Sequence, residues 1–364
     1  MKVAFRTDAS LAIGTGHVMR CLTLADALSK HGVESVFLTR DHTGNLHSTV
    51  EIRGHRLLSL GGVAQTFEHE PHKGHEHWLG VSLQQDIDDT AAFLSHFRPD
   101  WLVVDHYALD GKWEEALAPL CDRIMAIDDL ANRRHAADLL LDQNLGTTSA
   151  QYTPQVPAQC DLLLGPQYGL LRPAFAALRS ESLAWRRHGQ LSTILVTMGG
   201  VDIDNTTGMV LDSLRSCAST IPVVVTIVMG QHAPWREQIK ATAAASPFPN
   251  AVLVNPPNMA ELMRDADLAI GAAGGTSWER CCLGLPTLQV VIAENQRRIA
   301  SALRDAGAAR SLERPHIPTA LTEAIAFLAS HPTELRAMSD AAALVSDGRG
   351  AERVAQHLLK GRLS

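Results

Sequence analysis

The chain has 364 residues, 46% of them hydrophobic and 20% charged, and a net charge of −7 at pH 7. Enough apolar material for a sizeable core excludes a disordered chain, and at roughly 100–200 residues per domain the length points to two domains. The acidic balance argues against a dedicated nucleic-acid binder, which carries a basic excess, and leaves room for one local site for a small anion.

The first residues, from Met1 to Phe5, read directly into a strand, with no apolar stretch suited to a secretory leader. No run of about 18 apolar residues occurs, so no membrane association is expected. The six cysteines include no C-x-x-C pair and read as reduced, buried thiols of a cytoplasmic protein. In chain order, "KVAFRTD", "VESVFLT", "RLLSL", "WLVVD", "RIMAID", "DLLLD" and "DLLLG" predict strands. Between the first two, Val18, Cys21, Leu22, Ala25 and Leu28 mark one face of a helix that Gly32 stops. After a looser stretch near residues 165–190, "LSTILVTMGG", "VVVTIVMG", "AVLVN", "DLAIG" and "PTLQVVI" repeat the pattern. Strands alternating with helices predict α/β architecture with parallel sheets. The expectation is two Rossmann-like domains, 1–165 and 166–364, facing across a cleft, with the last helix packing back on the first domain. Ligands of such sheets bind beyond the carboxyl ends of the strands.

One segment breaks the pattern. "FEHEPHKGHEHW" gathers His69, His72, His75 and His77 among Glu68, Glu70 and Glu76. Pro71, Gly74 and the lack of periodicity predict a solvated loop. A folded metal site needs ligands held by regular elements, and no metal is assigned.

Gly14-Thr15-Gly16-His17 follows the first strand. A dinucleotide fingerprint requires a third glycine where Met19 stands and an acidic end to the second strand, which here ends Arg40-Asp41, so no redox cofactor is expected. Gly14 and Gly16 instead let the chain turn, placing His17 at a helix N-terminus, where the dipole disfavours imidazolium. A neutral histidine suits general-base work; packing or capping is the alternative. Asp8, ending the first strand beside Arg6, either orients that imidazole or caps a loop. Asp105, His106 and Tyr107 end another strand; Tyr107 is a candidate sugar contact, and Asp105 lines the cleft or caps a turn. In the second half, Gly199 and Gly200 end a strand, and Asn205 either holds ligand or caps the next helix.

The stretch from Pro256 to Gln296 carries the most chemistry. Asn258 and Glu261 form a capping-box pair opening a helix from Met259 to Asp265. "GAAGGTS" turns into a helix near Thr276, whose N–H groups at Gly274, Gly275, Thr276 and Ser277 suit a diphosphate. Glu279, one turn in, can accept two hydrogen bonds from a ribose diol or merely favour the dipole. Gly284 and Pro286 stop the helix. Asn295 and Gln296 end the next strand, where amides can read sugar substituents.

The glycine turn with Trp278-Glu279 resembles the donor half of GT-B nucleotide-sugar enzymes, including the peptidoglycan N-acetylglucosaminyltransferase. A closer resemblance is to the UDP-sugar hydrolase family of pseudaminic-acid synthesis. It is carried by "FRTDAS", "GTGHVMRCLTLADAL", "VVDHYALD", "IDDLANRRHAADLLLDQNL", "LLGPQYGLLRPAF", "VTMGGVDIDNTT" and the 256–296 block, above all by G-x-G-H-x-x-R and G-G-x-S-x-E in that order. The histidine-rich segment is not part of it. The resemblance implies a GT-B fold and hydrolysis of UDP-2,4-diacetamido-2,4,6-trideoxy-β-L-altropyranose to the free sugar and UDP, by inverting attack of water at the anomeric carbon. It implies His17 as base, Glu279 at the ribose, backbone near Met259 at uracil, and the Gly274–Ser277 turn at the diphosphate. The partner is then a UDP-sugar, with no cofactor and no metal; the oligomeric state stays open, a monomer included. A GT-B glycosyltransferase with the same donor pocket and a non-catalytic nucleotide-sugar binder are the alternatives. The first needs an acceptor; the second needs Glu279 but not His17.

Overall fold

The computed structural model describes residues 1–63, 74–217 and 222–360. Among the described residues, thirteen strands form two wholly parallel sheets. The first sheet holds β1 (Lys2–Thr7), β2 (Glu34–Asp41), β3 (Arg56–Gly62), β4 (Trp101–Asp105), β5 (Arg123–Ile127), β6 (Leu139–Asp142) and β7 (Asp161–Leu164). Its spatial order is β3-β2-β1-β4-β5-β6-β7. The second holds β8 (Thr193–Thr197), β9 (Val224–Met229), β10 (Asn250–Val254), β11 (Leu268–Ala272), β12 (Thr287–Val290) and β13 (Ala309–Leu312), in the order β10-β9-β8-β11-β12-β13. Both are doubly wound α/β sheets, as the sequence predicts. β13 was not foreseen, because Arg310 and Ser311 interrupt its apolar run.

The strands read as continuous apolar runs because helices cover both sheet faces. Side chains alternate between two separate cores of the first unit. Val3, Phe5, Phe37, Trp101 and Val103 join one, and Ala4, Val36, Leu38, Leu102 and Val104 join the other. The second sheet builds its core from Ile194, Val196, Ile227, Ile270 and Leu288. No helix among the described residues is long and apolar enough to cross a membrane.

The contacts divide the chain into Met1–Leu170 with Gly350–Ser364, and Leu171–Arg349. The first unit therefore takes both ends of the predicted 166–364 domain. The helix Gly350–Lys360 sets Ala351, Val354, Ala355 and Leu358 into the first unit's core beside Val18 and Leu22. There the Trp101 indole N–H donates to the Leu358 carbonyl over 3.2 Å. Burying those four apolar side chains contributes several kcal/mol, at about 1.5–3 kcal/mol for a larger aliphatic one. Gly350 is needed for the join: a Cβ there would lie 2.3 Å from the Gly169 carbonyl oxygen.

Candidate active site

In a doubly wound sheet the ligand crevice lies where strand order reverses. In the first unit that point is between β1 and β4, which pair directly, Thr7 beside Asp105. The chain leaving β1 makes a tight turn: Gly14 N–H donates to the Ser10 carbonyl over 2.8 Å, and the Ser10 hydroxyl accepts from Ile13 N–H over 2.9 Å. Gly14 has φ +80°, a left-handed value that favours glycine. Gly16 has no such requirement. It opens the helix Gly16–Ser29, and His17 is that helix's second residue.

His17 is buried, with Nδ1 2.6 Å from Oδ1 of Asp105 at the end of β4. An ionised carboxylate only accepts hydrogen bonds, so this contact places a proton on Nδ1, and in the neutral ring the lone pair is then on Nε2. The 3.3 Å approach of Arg20 Nη2 to the same Nδ1 is then a contact and not a hydrogen bond. Arg20 grips Asp105 with both arms, Nε to Oδ2 at 2.6 Å and Nη2 to Oδ1 at 2.7 Å. Its Nη1 reaches Asp129 at 3.1 Å, and Asp129 accepts the Tyr107 hydroxyl. Burial works against the Asp105 charge, but Arg20 and then His17 outweigh it and hold the carboxyl well below the usual carboxylate range. Asp105 is thus neither a turn cap nor a free cleft group: it is the partner of His17.

Asp8, the other candidate for orienting the imidazole, has different company. It pairs with Arg6 at 2.8 Å and accepts Arg40 N–H at 2.7 Å. Arg6 and Arg40 share Asp86, at 2.7 and 2.8 Å, and the Trp113 indole also donates to Asp86 at 2.9 Å. His106 Nε2 faces Asp8 at 3.4 Å. Burial pushes the His106 pKa down to about 3, so that ring is neutral. This network braces the carboxyl ends of β1 and β2 and makes Asp8 a structural residue.

Tyr107 stands edge-on to the His17 ring, centroids 4.6 Å apart. Trp78 stacks on Tyr107 at 5.4 Å, and His75 meets Trp78 at 4.5 Å and Tyr107 at 4.9 Å. Part of the predicted solvated loop is therefore ordered: Glu76–Leu79 is a 3-10 turn anchored by buried Leu79. His69 and His72, with Glu68 and Glu70, lie outside the described residues. No metal-binding cluster of His, Cys, Asp and Glu occurs among the described residues.

In the second unit, strand order reverses between β8 and β11. After β8, Gly199 has φ +89°, and the Gly200 carbonyl oxygen would lie 1.8 Å from a Cβ at Gly230, so two backbones meet there. Asp202 accepts the Thr206 and Thr207 N–H groups at 2.9 Å each, opening the helix Thr206–Cys217. Asn205, with φ +55°, accepts Gly208 N–H at 3.2 Å through Oδ1, as the capping alternative has it. After β11, Gly274 and Gly275 lead into the helix Thr276–Cys282, where the sequence placed it. Gly284, at φ +60°, follows its end.

Arg280 lies beneath this turn, fully buried. It donates to the Ala272 carbonyl at 2.8 Å, to the Ser277 hydroxyl at 2.9 Å and to the Thr276 hydroxyl at 3.4 Å. No carboxylate among the described residues lies within ion-pair distance, and burial lowers its pKa to about 10. Glu279 receives Arg172 Nη2 at 3.3 Å. Burial raises the Glu279 pKa, and Arg172 opposes that rise. Gln296 accepts Ile292 N–H at 3.2 Å, and its Nε2 would lie 3.8 Å from a Cβ at Gly274, so it flanks the glycine turn. Asn295 belongs to the 3-10 turn Glu294–Gln296, and its side chain is outside the described ones. Met259, half-buried, starts the helix Met259–Asp265 as predicted, but Asn258 makes no side-chain cap bond, so the expected capping box is not formed. Its ψ of 44° departs from the extended backbone typical of such a cap.

Residues 193–355 match the glycosyltransferase family 28 C-terminal domain. The chain is 24% identical over 82% of its length to an uncharacterized protein of Methanocaldococcus jannaschii, spanning only 57% of that relative. It is 24% identical to the spore coat polysaccharide biosynthesis protein SpsG of Bacillus subtilis, covering 97% of this chain and 96% of the relative. It is 22% identical to the UDP-2,4-diacetamido-2,4,6-trideoxy-beta-L-altropyranose hydrolase of Campylobacter jejuni, covering 84% and 97%. Among solved structures, MurG of Acinetobacter baumannii superposes with a TM-score of 0.70 at 17% identity, over 99% of both chains. The fold is GT-B: two parallel-sheet α/β units, the second matching a family 28 domain.

Proposed function

We propose that the chain hydrolyses a UDP-linked diacetamido-trideoxyhexose, UDP-2,4-diacetamido-2,4,6-trideoxy-β-L-altropyranose, to the free sugar and UDP. The observation that carries this reading is the 2.6 Å His17–Asp105 contact, which leaves Nε2 of a buried imidazole ready to take a proton. A merely nucleotide-binding protein has no use for it. Water attacks the anomeric carbon as His17 Nε2 removes its proton. The anomeric C–O bond breaks with its electron pair leaving on UDP, and the configuration inverts. UDP is already a good leaving group, so no strong general acid is required. Fixed dipoles on the departing diphosphate and help for an oxocarbenium-like transition state suffice. We assign the first task to the Gly274-Gly275-Thr276-Ser277 turn above Arg280, the ribose diol to Glu279, uracil to backbone near Met259, and sugar substituents to Tyr107, Gln296 and Asn295. Gly200 borders the diphosphate in this reading, and Gly14 with Gly16 mounts the base. The name of the Campylobacter relative supports the choice of sugar.

The family 28 match and the MurG likeness favour a second reading, transfer of the sugar to an acceptor. One experiment separates them. The protein is given UDP-diacetamido-trideoxyhexoses, with UDP-N-acetylglucosamine as control, in ¹⁸O-water and without acceptor. UDP release with label in the sugar is expected. Release only after an acceptor is added would establish transfer, and label in UDP would mean attack at phosphorus.

A further inference from the structure

The 74–79 turn belongs to the segment that sets this chain apart from the sequence pattern around it, yet it ends against His17. Trp78 is half-buried and stacks on Tyr107 with an interplanar angle of 21°. His75 braces both rings edge-on, at 4.5 and 4.9 Å. The Trp78 centroid is 6.2 Å from that of His17. Tyr107 is held from two sides: its hydroxyl donates to Asp129, and Arg133 lies over its ring at 5.7 Å. A fixed aromatic wall therefore stands beside the base. Aromatic faces favour apolar C–H surface, and burying a hydroxyl against them without a partner costs free energy. Burial, then Arg133, lowers the His75 pKa, so the brace is uncharged.

Resting on the hydrolysis reading, we propose that Trp78 is a specificity-determining residue that contacts the sugar. It packs against the methyl-bearing face of a 6-deoxy, N-acylated hexose, and His75 positions it. The class selected is a sugar with a methyl group where common hexoses carry a hydroxymethyl. A hydrophobic surface rejects an added hydroxyl by at most about 10²-fold, which bounds the effect.

The full chain is compared with its Trp78→Ala, Trp78→Phe, His75→Ala and His75→Phe variants. The expected result for Trp78→Ala is a KM for the UDP-diacetamido-trideoxyhexose raised about tenfold, kcat changed by less than about threefold, UDP affinity unchanged, and preference over UDP-N-acetylglucosamine reduced. His75→Ala shifts KM in the same direction, and His75→Phe, which keeps a ring against Trp78, restores it. An unchanged KM and preference, or a fall confined to kcat, overturns the proposal. A wild-type preference for the 6-hydroxy sugar overturns it too. If the wild type turns over no UDP-sugar, the hydrolysis reading fails and binding decides. The tryptophan emission lost in Trp78→Phe should respond to the 6-deoxy UDP-sugar and not to UDP alone; an identical response to both overturns the proposal.

Discussion

The two units place charge at their switch points in opposite ways. In the first, every buried cation beside the crevice meets a carboxylate: Arg20 meets Asp105 and Asp129, Arg6 meets Asp8 and Asp86, and Arg40 meets Asp86 and Asp89. In the second, Arg280 meets only carbonyl and hydroxyl oxygens. A preassembled ion network holds a base in one tautomer with nothing left to rearrange. An unneutralised buried guanidinium keeps a site attractive to an anion. The difference matches a division between proton transfer and anion holding.

The largest effect expected on that division is at its base. His17→Ala should lose turnover by at least about 10²–10⁴-fold, the usual range for general-base removal, while isothermal titration finds UDP affinity unchanged. Near-wild-type turnover breaks the mechanism. Asp105→Asn should cost about 10²-fold or more in kcat, because an amide no longer dictates the imidazole tautomer. Circular dichroism checks that the variant folds, and a kcat within twofold of wild type would show that the dyad is only packing. On the other side, Glu279→Gln should weaken UDP binding about tenfold, because the amide oxygen still accepts but the charge assistance, about 1–1.5 kcal/mol, is lost. Its kcat at saturation should change little. A kcat collapse with unchanged UDP affinity would erase the division.

The smallest effect is on stability. Tyr152 Oη is 3.0 Å from both Asp128 Oδ2 and Asp142 Oδ2, yet a phenol has one proton to give. Burial raises the Asp142 pKa to about 6. A carboxyl raised in the folded state contributes stability that is fully present below its unfolded pKa, near 3.8, and lost as pH rises through about 6. The neutral mimic Asp142→Asn should therefore melt higher than wild type at pH 7.5 and lose this advantage near pH 4. An equal gain at both pH values would contradict the assignment.

Strand positions and His17 were legible because apolar runs and glycine turns are local signals. The partners of His17 were not. Asp105 lies 88 positions away, and only the adjacency of β1 and β4 brings the two together. That adjacency was available from the strand order of doubly wound sheets, which puts the end of the fourth strand beside the turn after the first. Arg20 stands one helical turn after His17, a cue within the G-x-G-H-x-x-R pattern itself. Arg172 and Arg280 left no such trace: Arg172 stands 107 positions from its partner Glu279, and Arg280, buried without a carboxylate, looks like any helical arginine. Trp78 was hidden by the polar composition around it, which averages over one ordered turn.

The helix Gly350–Lys360 has a consequence in time. On the ribosome, residues 171–349 are synthesised between the bulk of the first unit and the last strip of its core. At about 5–20 residues per second, that interval is roughly 10–40 s, during which Val18, Leu22 and their neighbours lack their cover. The unit that begins first is finished last, and the second unit has the opportunity to fold while the first still waits.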